Sequence, residues 1–142
     1  GAAPRRCTVL EENRALAHRL HQEIIQEYKL DLADEIIAPD CVVHSPVRDP
    51  KTTPRGPEVA KAMARDDREH FPTGIRFDHY DTLAEGDLVA FRWVGSGTHK
   101  SGKPVEINGI DIVRIANGKI AEVWVSYDRL AIQEQFSGPT AS

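Results

Sequence analysis

Four strand-length runs follow one another from Ile75 to Leu83, Leu88 to Thr98, Val105 to Ile115 and Ile120 to Tyr127. The residues between them dictate tight reversals: Glu85-Gly86-Asp87, Ser101-Gly102-Lys103 and Asn117-Gly118. Asn-Gly between two apolar runs is the strongest of these signals, because a two-residue hairpin turn needs φ > 0 at both positions. An antiparallel meander is therefore the organising element of the chain. Side chains alternate along a strand, so Phe91 and Trp93 share one face, which Gly95 and Gly97 continue. Trp124 falls on the opposite face from Val123 and Val125. Gly95, Gly97 and Gly109 are positions where such strands can bend.

The first half of the chain is helical. Between Glu12 and Lys29 the residues Leu16, Ala17, Leu20, Ile24, Ile25 and Tyr28 recur at helical spacing, with charged and amide residues opposite. Asp31 is a candidate N-cap for a short helix through Leu32, Ala33, Ile36 and Ile37, which Pro39 stops. Cys41 to His44 reads as a short strand, and Pro46 to Pro57 as a loop holding four of the nine prolines. Pro57 suits the first position of a third helix, which carries Val59, Ala62 and Met63 inward and ends near Phe71-Pro72. Its run Arg65-Asp66-Asp67-Arg68-Glu69 reads as a solvated face with i, i+3 and i, i+4 pairs. A last short helix follows Asp128 through Gln135. Helices followed by a meander predict an α+β domain, a curved antiparallel sheet covered on one face by helices to form a cone with a pocket inside. The expected organisation is an N-terminal arm over residues 1–12, one domain over 13–136 and a tail over 137–142.

With 142 residues the chain suits a single domain. Its 18 basic and 22 acidic residues give a net charge of −4 with no basic stripe, which argues against a nucleic-acid partner. No apolar run approaches the roughly 20 residues that span a bilayer. No charged-then-apolar leader follows Gly1, so a cytoplasmic location is the expectation. Two unclustered cysteines make neither a disulfide framework nor a zinc site, and Cys41 reads as a small core residue. His18 and His21 at i, i+3 form half a metal site, but no further ligand has matching spacing, so no metal is expected. His70 and His79 carry no motif. A Gly-x-Ser-x-Gly elbow and a phosphate-binding glycine loop are both missing, which argues against nucleophilic hydrolases and nucleotide enzymes.

Several fragments, taken in order, resemble the SnoaL-like polyketide cyclases of the nuclear transport factor 2-like superfamily. They are Phe71-Pro72, Ala84-Glu85-Gly86-Asp87-Leu88-Val89-Ala90, Gly97-Thr98-His99, Asn108 to Arg114 and Asn117 to Trp124. The likeness runs from about Asn13 to Phe136. It implies a cone-shaped α+β barrel, a homodimer through the outer sheet face, and an apolar cavity for a small organic molecule, with no metal or organic cofactor. Family members close rings by intramolecular aldol addition, and relatives hydrolyse epoxides, dehydrate or isomerise. Their cavity carboxylate usually follows the Trp of the last strand, often with a histidine nearby. Here Val123 and Val125 stand at those positions, and Asp128 lies three residues too late with the wrong strand parity to substitute.

Among residues that can still do chemistry, Asp111 interrupts the apolar run Gly109 to Val113, where a carboxylate is costly unless paired or used. In the resembled family this position points into the cavity, where desolvation suits a carboxyl to acid/base work. The alternative is a salt bridge with Arg114 or Arg92, or exposure at a dimer edge. His44 ends its strand and titrates near neutrality, so it either assists catalysis or orders the proline-rich loop. His99 either meets substrate or shapes its turn. Tyr28, Phe71, Phe91, Trp93 and Tyr127 either line a pocket or pack the core. With the resemblance, which implies a polyketide-like substrate and no cofactor, the expectation is a cyclase or isomerase acting on a small apolar metabolite, with Asp111 and His44 catalytic and Tyr28, Phe71, Phe91, Trp93, His99 and Tyr127 binding substrate. The alternatives are a ligand-binding or dimeric scaffold domain without turnover, and an epoxide hydrolase, which needs a carboxylate–Arg–carboxylate set.

Overall fold

The computed structural model describes the backbone of residues 2–137 and the side chains of residues 8–136. Helix α1 (Ala2–Arg19) runs on through a π-helical segment, Leu20–Gln26. A 3₁₀ turn (Leu30–Leu32) and helix α2 (Ala33–Ile36) lead into strand β1 (Ile37–His44). Helix α3 (Pro57–His70) precedes the meander: β2 (Ile75–Glu85), β3 (Leu88–Thr98), β4 (Pro104–Ala116) and β5 (Lys119–Tyr127). Helix α4 (Arg129–Ser137) closes the chain. The N-terminal stretch expected as an arm is thus helical from Ala2, and all but Ser137 of the tail lies outside the described residues. No described helix is long and apolar enough to cross a membrane.

The five strands form one curved, unclosed sheet in the order β1-β5-β4-β3-β2. The meander is antiparallel as its turns require, and Asn117 and Gly118 both adopt positive φ, 52° and 72°. The sheet is not antiparallel throughout. β1 adds to the far edge parallel to β5, pairing Val43 with Val123 and His44 with Trp124. Helix α3 and the long loop before it supply the chain needed to travel from this edge to the other, where β2 begins.

Alternation sorts the sheet residues as expected. Val89, Phe91, Trp93, Asp111, Val113 and Val123 are buried on the concave side, whereas Ile110 and Ile112 are exposed on the other. Ala17, Leu20, His21, Ile24 and Ile25 of the first helix and Val59, Ala60 and Ala64 of α3 cover the concave side. Each large apolar side chain fully buried there contributes roughly 1.5–3 kcal/mol. Cys41 belongs to this core, and burial pushes its thiol up to about 12. Gly56 starts α3 at φ 76°, where a Cβ would lie 2.2 Å from the Pro39 carbonyl oxygen. Its N–H donates to the Cys41 carbonyl at 2.8 Å, so helix and edge strand meet backbone to backbone.

Candidate active site

Between the concave sheet face, α3 and α4 lies a cavity of about 450 Å³. Phe71, Ile75, Phe77, Trp93, Ile107, Val125 and Ile132 give it an apolar wall. Its polar groups are His21, Arg48, Asp66, Asp67, His70, His99 and Tyr127, with Ser45. Asp128, too late in β5 to act as the family's acid, instead caps α4: its Oδ1 accepts the Ala131 N–H at 2.9 Å. The cap aims α4 across the cavity, where Ile132 and Phe136 complete the wall.

Asp111 is inward and only 1% exposed, yet it does not itself line the cavity. Its register partners are Phe91 and Val125. The Trp93 indole Nε1–H donates to its Oδ1 at 2.8 Å, and His21 Nε2 lies 3.2 Å from its Oδ2. His21 Nδ1 lies 2.9 Å from His79 Nε2, and the Gln22 amide nitrogen 3.3 Å from His79 Nδ1. One proton arrangement satisfies the whole chain. Gln22 donates to His79, His79 to His21, and His21 with Trp93 to the Asp111 carboxylate. Asp111 is bonded to neither Arg92, which pairs with Asp81, nor Arg114, which pairs with Glu122. Its reach to the cavity runs through His21 and Trp93, both of which line it.

Rings enclose the imidazoles. His18 stacks on His79 at 4.1 Å and His21 on Phe77 at 4.2 Å, with Phe91 edge-on to all three. Burial, aided by the neighbouring His21 and His18, pushes His79 down to about 3, and burial also lowers His18. The first helix presents His21 from its π-helical turn, where the Glu27 N–H bonds the Gln22 carbonyl at 3.1 Å. Such widened turns occur often at functional sites. From the sequence His21 reads only as half of a metal site with His18, and His79 carries no motif. His21 does share the apolar face of Ala17, Ile24 and Ile25, which is the signal that places it inside, but nothing local ties it to His79, 58 residues away.

A His79 that refuses a proton when folded, and accepts it near 6.5 when unfolded, makes stability pH-dependent. Its contribution is fully present above about pH 6.5 and is lost as the pH falls toward 3. Denaturant midpoints from pH 7 to 4 are expected to fall more steeply for the wild type than for His79→Gln, whose amide still donates to His21. Parallel slopes would show that His79 is not held neutral.

The predicted site residues divide. Phe71, Trp93, His99 and Tyr127 line the cavity. His99 also shapes its turn, its Nδ1 accepting the Ser101 N–H at 3.1 Å, while its ring meets Phe136 at 4.4 Å. Phe91 is buried behind the wall against the histidines. Tyr28 is elsewhere: at φ 60° it ends the first helix, with the Arg68 guanidinium 4.5 Å over its ring. His44 is not brought to Asp111. Cys41 and Val43 point inward, so alternation sends His44 to the outer face, where it bonds Glu122 at 2.7 Å and stacks on Trp124. Asp67, assigned to a solvated face from sequence, lines the cavity instead. Burial raises its carboxyl to about 6, and its negative charge joins burial in raising Tyr127. Among the described residues no group of three or more His, Cys, Asp or Glu is placed to hold a metal ion.

The sequence pattern of the SnoaL-like polyketide cyclases matches residues 15–136. No curated protein matches the chain. Among solved structures, a candidate polyketide cyclase from Bacillus cereus is 29% identical, with a TM-score of 0.76 over 89% of this chain and 80% of that one. IdmH, a candidate polyketide cyclase from Streptomyces antibioticus, is 28% identical, with a TM-score of 0.76 over 89% of this chain and 99% of its own. AclR, a candidate hydroxylase from Streptomyces galilaeus, is 20% identical at a TM-score of 0.72 and shares the fold. The family pattern covers every strand of the sheet, the whole of α3 and the first helix from residue 15 onward, and the chain belongs to the SnoaL-like polyketide cyclase family.

Proposed function

We propose that this protein is an enzyme that carries out acid/base chemistry, cyclisation or isomerisation, on a small apolar, polyketide-like metabolite held in the cavity. The observation that carries this reading is the cavity itself: about 450 Å³, apolar over most of its wall, with titratable groups at a few points. A flexible substrate folded against Trp93, Phe71 and Tyr127 reacts from a preorganised conformation, which lowers the barrier by several kcal/mol in favourable cases. Asp111 acts in this reading as a positioning residue, fixing His21 and the Trp93 indole in the wall. His44 has no part in it. The chain's own side chains supply the proton transfers without an organic cofactor. The outer sheet face, with Trp124, Ile110 and Ile112, suits a homodimer contact.

Epoxide hydrolysis is the second reading, favoured by one observation. Arg48 lines the cavity paired with Asp66, and its charge also opposes the rise of the Asp67 carboxyl. Asp66, Arg48 and Asp67 thus bring to the cavity wall the residue types that such a set needs, with only Asp66 paired to the arginine, where the sequence offered only Asp111. Linear polyketide esters, enones and epoxides are to be incubated with the wild type and with Val125→Phe, which fills the cavity. Chromatography with mass spectrometry separates isomeric cyclic products from products that gain or lose water. Conversion by the wild type that Val125→Phe abolishes is the expected result. Binding of a panel member with no conversion would replace the enzyme reading by a ligand-binding domain.

A further inference from the structure

The carboxyl of Asp67 is unlike those of the engaged aspartates of the fold. Helical spacing sets it on the buried face of α3 with Ala60 and Ala64, just before buried Phe71, so it turns toward the cavity while Glu69 turns outward and Asp66 lies exposed at the cavity's edge, paired with Arg48. Asp66 pairs with Arg48, Asp34 with Lys61, Asp78 with Arg76 and Asp81 with Arg92. Asp111 holds two donors and Asp128 caps a helix. Among the described residues no hydrogen bond or ion pair reaches the Asp67 carboxyl, although its backbone carbonyl accepts the Phe71 N–H at 2.8 Å. An unpaired carboxyl against an apolar wall is destabilising, and groups kept at such a cost cluster at sites of chemistry.

We propose that Asp67 is the cavity's proton-transfer residue, the base that takes a proton from carbon and returns it to oxygen in an apolar, carbonyl-bearing substrate. The assignment rests on the reading of the cavity as a reaction chamber, and it moves the acid/base role from the last strand, where Val125 stands, to the facing helix. In the step, an Asp67 oxygen takes a proton from the carbon beside a carbonyl. The C–H electron pair moves onto the carbonyl oxygen, or onward into the new C–C bond. Asp67 then gives the proton to the alkoxide or enolate, so no oxidant or co-reactant is consumed. The groups that bear on it are His21 from the first helix, Arg48 from the loop after β1, Tyr127 from β5, and Asp66 and His70 from its own helix. Burial outweighs His21, Arg48 and His70, which oppose the rise, and leaves the carboxyl near 6, where both protonation states are accessible at neutral pH.

The test uses 5-nitrobenzisoxazole, an apolar probe of general bases that needs no knowledge of the physiological substrate. Abstraction of its C3 proton breaks the N–O bond and releases a coloured cyanonitrophenolate. Wild type, Asp67→Asn and Glu69→Gln, an exposed carboxylate on the same helix, are compared from pH 4.5 to 8. The wild-type rate is expected to rise through about pH 6 and level off. Asp67→Asn should fall at least tenfold at pH 7.5, and Glu69→Gln should stay within twofold. Asp67→Asn should also melt no lower than the wild type at pH 8. The native carboxyl binds its proton more tightly than the unfolded one, so its contribution to stability is lost as the pH rises from about 4 through 6. Equal rates in wild type and Asp67→Asn, including equal absence of rate, would overturn the proposal. A polyketide panel left unconverted, with the probe rate still lost in Asp67→Asn, would count against the substrate reading and leave Asp67 as the base. Panel conversion that persists in Asp67→Asn would do the reverse.

Discussion

Replacing Asp111 with Ala is expected to cost about 3–5 kcal/mol of folding stability, because two buried donors each lose a hydrogen bond to a charged group, worth about 1.5–3 kcal/mol apiece. For a domain of this size that is a fall of roughly 10–15 °C in Tm. The carboxylate is 1% exposed and both its oxygens are engaged. Its loss strands the Trp93 indole N–H and the His21 Nε2–H in a dry interior, and the chain through His79 to Gln22 loses its terminal acceptor. Asp111→Asn keeps the shape and one acceptor oxygen but sets an amide N–H₂ against a donor, so it should cost about 1–3 kcal/mol. Urea melts at pH 7, followed by Trp fluorescence, measure both. A loss below about 1 kcal/mol for Asp111→Ala would mean that Asp111 ties nothing together and that the hydrogen-bonded chain is incidental.

The inward position of Asp111 is an expectation drawn from the family resemblance, since alternation shows only that Asp111 and Val113 share one face and Ile110 and Ile112 the other, without saying which is buried. The same rule applies to His44, but Cys41-Val42-Val43 is apolar without alternation and gives no sign of which face is buried. Only the parallel pairing of β1 beside β5 decides it, and that pairing joins segments nearly eighty residues apart. Asp67 was hidden differently. Five consecutive charged residues look uniformly solvated, although the 4-3-4 spacing of Ala60, Ala64, Asp67 and Phe71 marks one buried face. The histidine chain was out of reach altogether, since nothing in the sequence near His79 says that β2 will carry it to the first helix. Local period and turn chemistry thus predicted the antiparallel meander but not the parallel edge strand. The site was assembled by long-range contacts between elements that each look ordinary alone.

Gly109→Ala should be nearly as damaging, for a steric reason that reaches the same carboxylate. Gly109 faces Trp93 in register across β3 and β4 and is paired to Tyr127 on the other side, so its backbone is held from both flanks. A Cβ there would sit 2.2 Å from Cζ2 and 2.4 Å from Cε2 of the indole, well inside contact distance. The ring must swing away, which breaks its bond to Asp111 and pushes it into the cavity it now lines. Overpacking of this kind costs about 1–3 kcal/mol, and a lost hydrogen bond to a charged group about 1.5–3 kcal/mol more. The expected total is about 3–5 kcal/mol, with cavity ligands binding at least tenfold more weakly. A double-mutant cycle with Trp93→Phe separates the two contributions. Phe removes both the clashing outer ring and the N–H, so Gly109→Ala should cost at least 1 kcal/mol less on that background than on the wild type. Additive losses would place the cost of the methyl group in the β4 backbone, and Gly109 would then be a bend in the strand with no part in seating the indole.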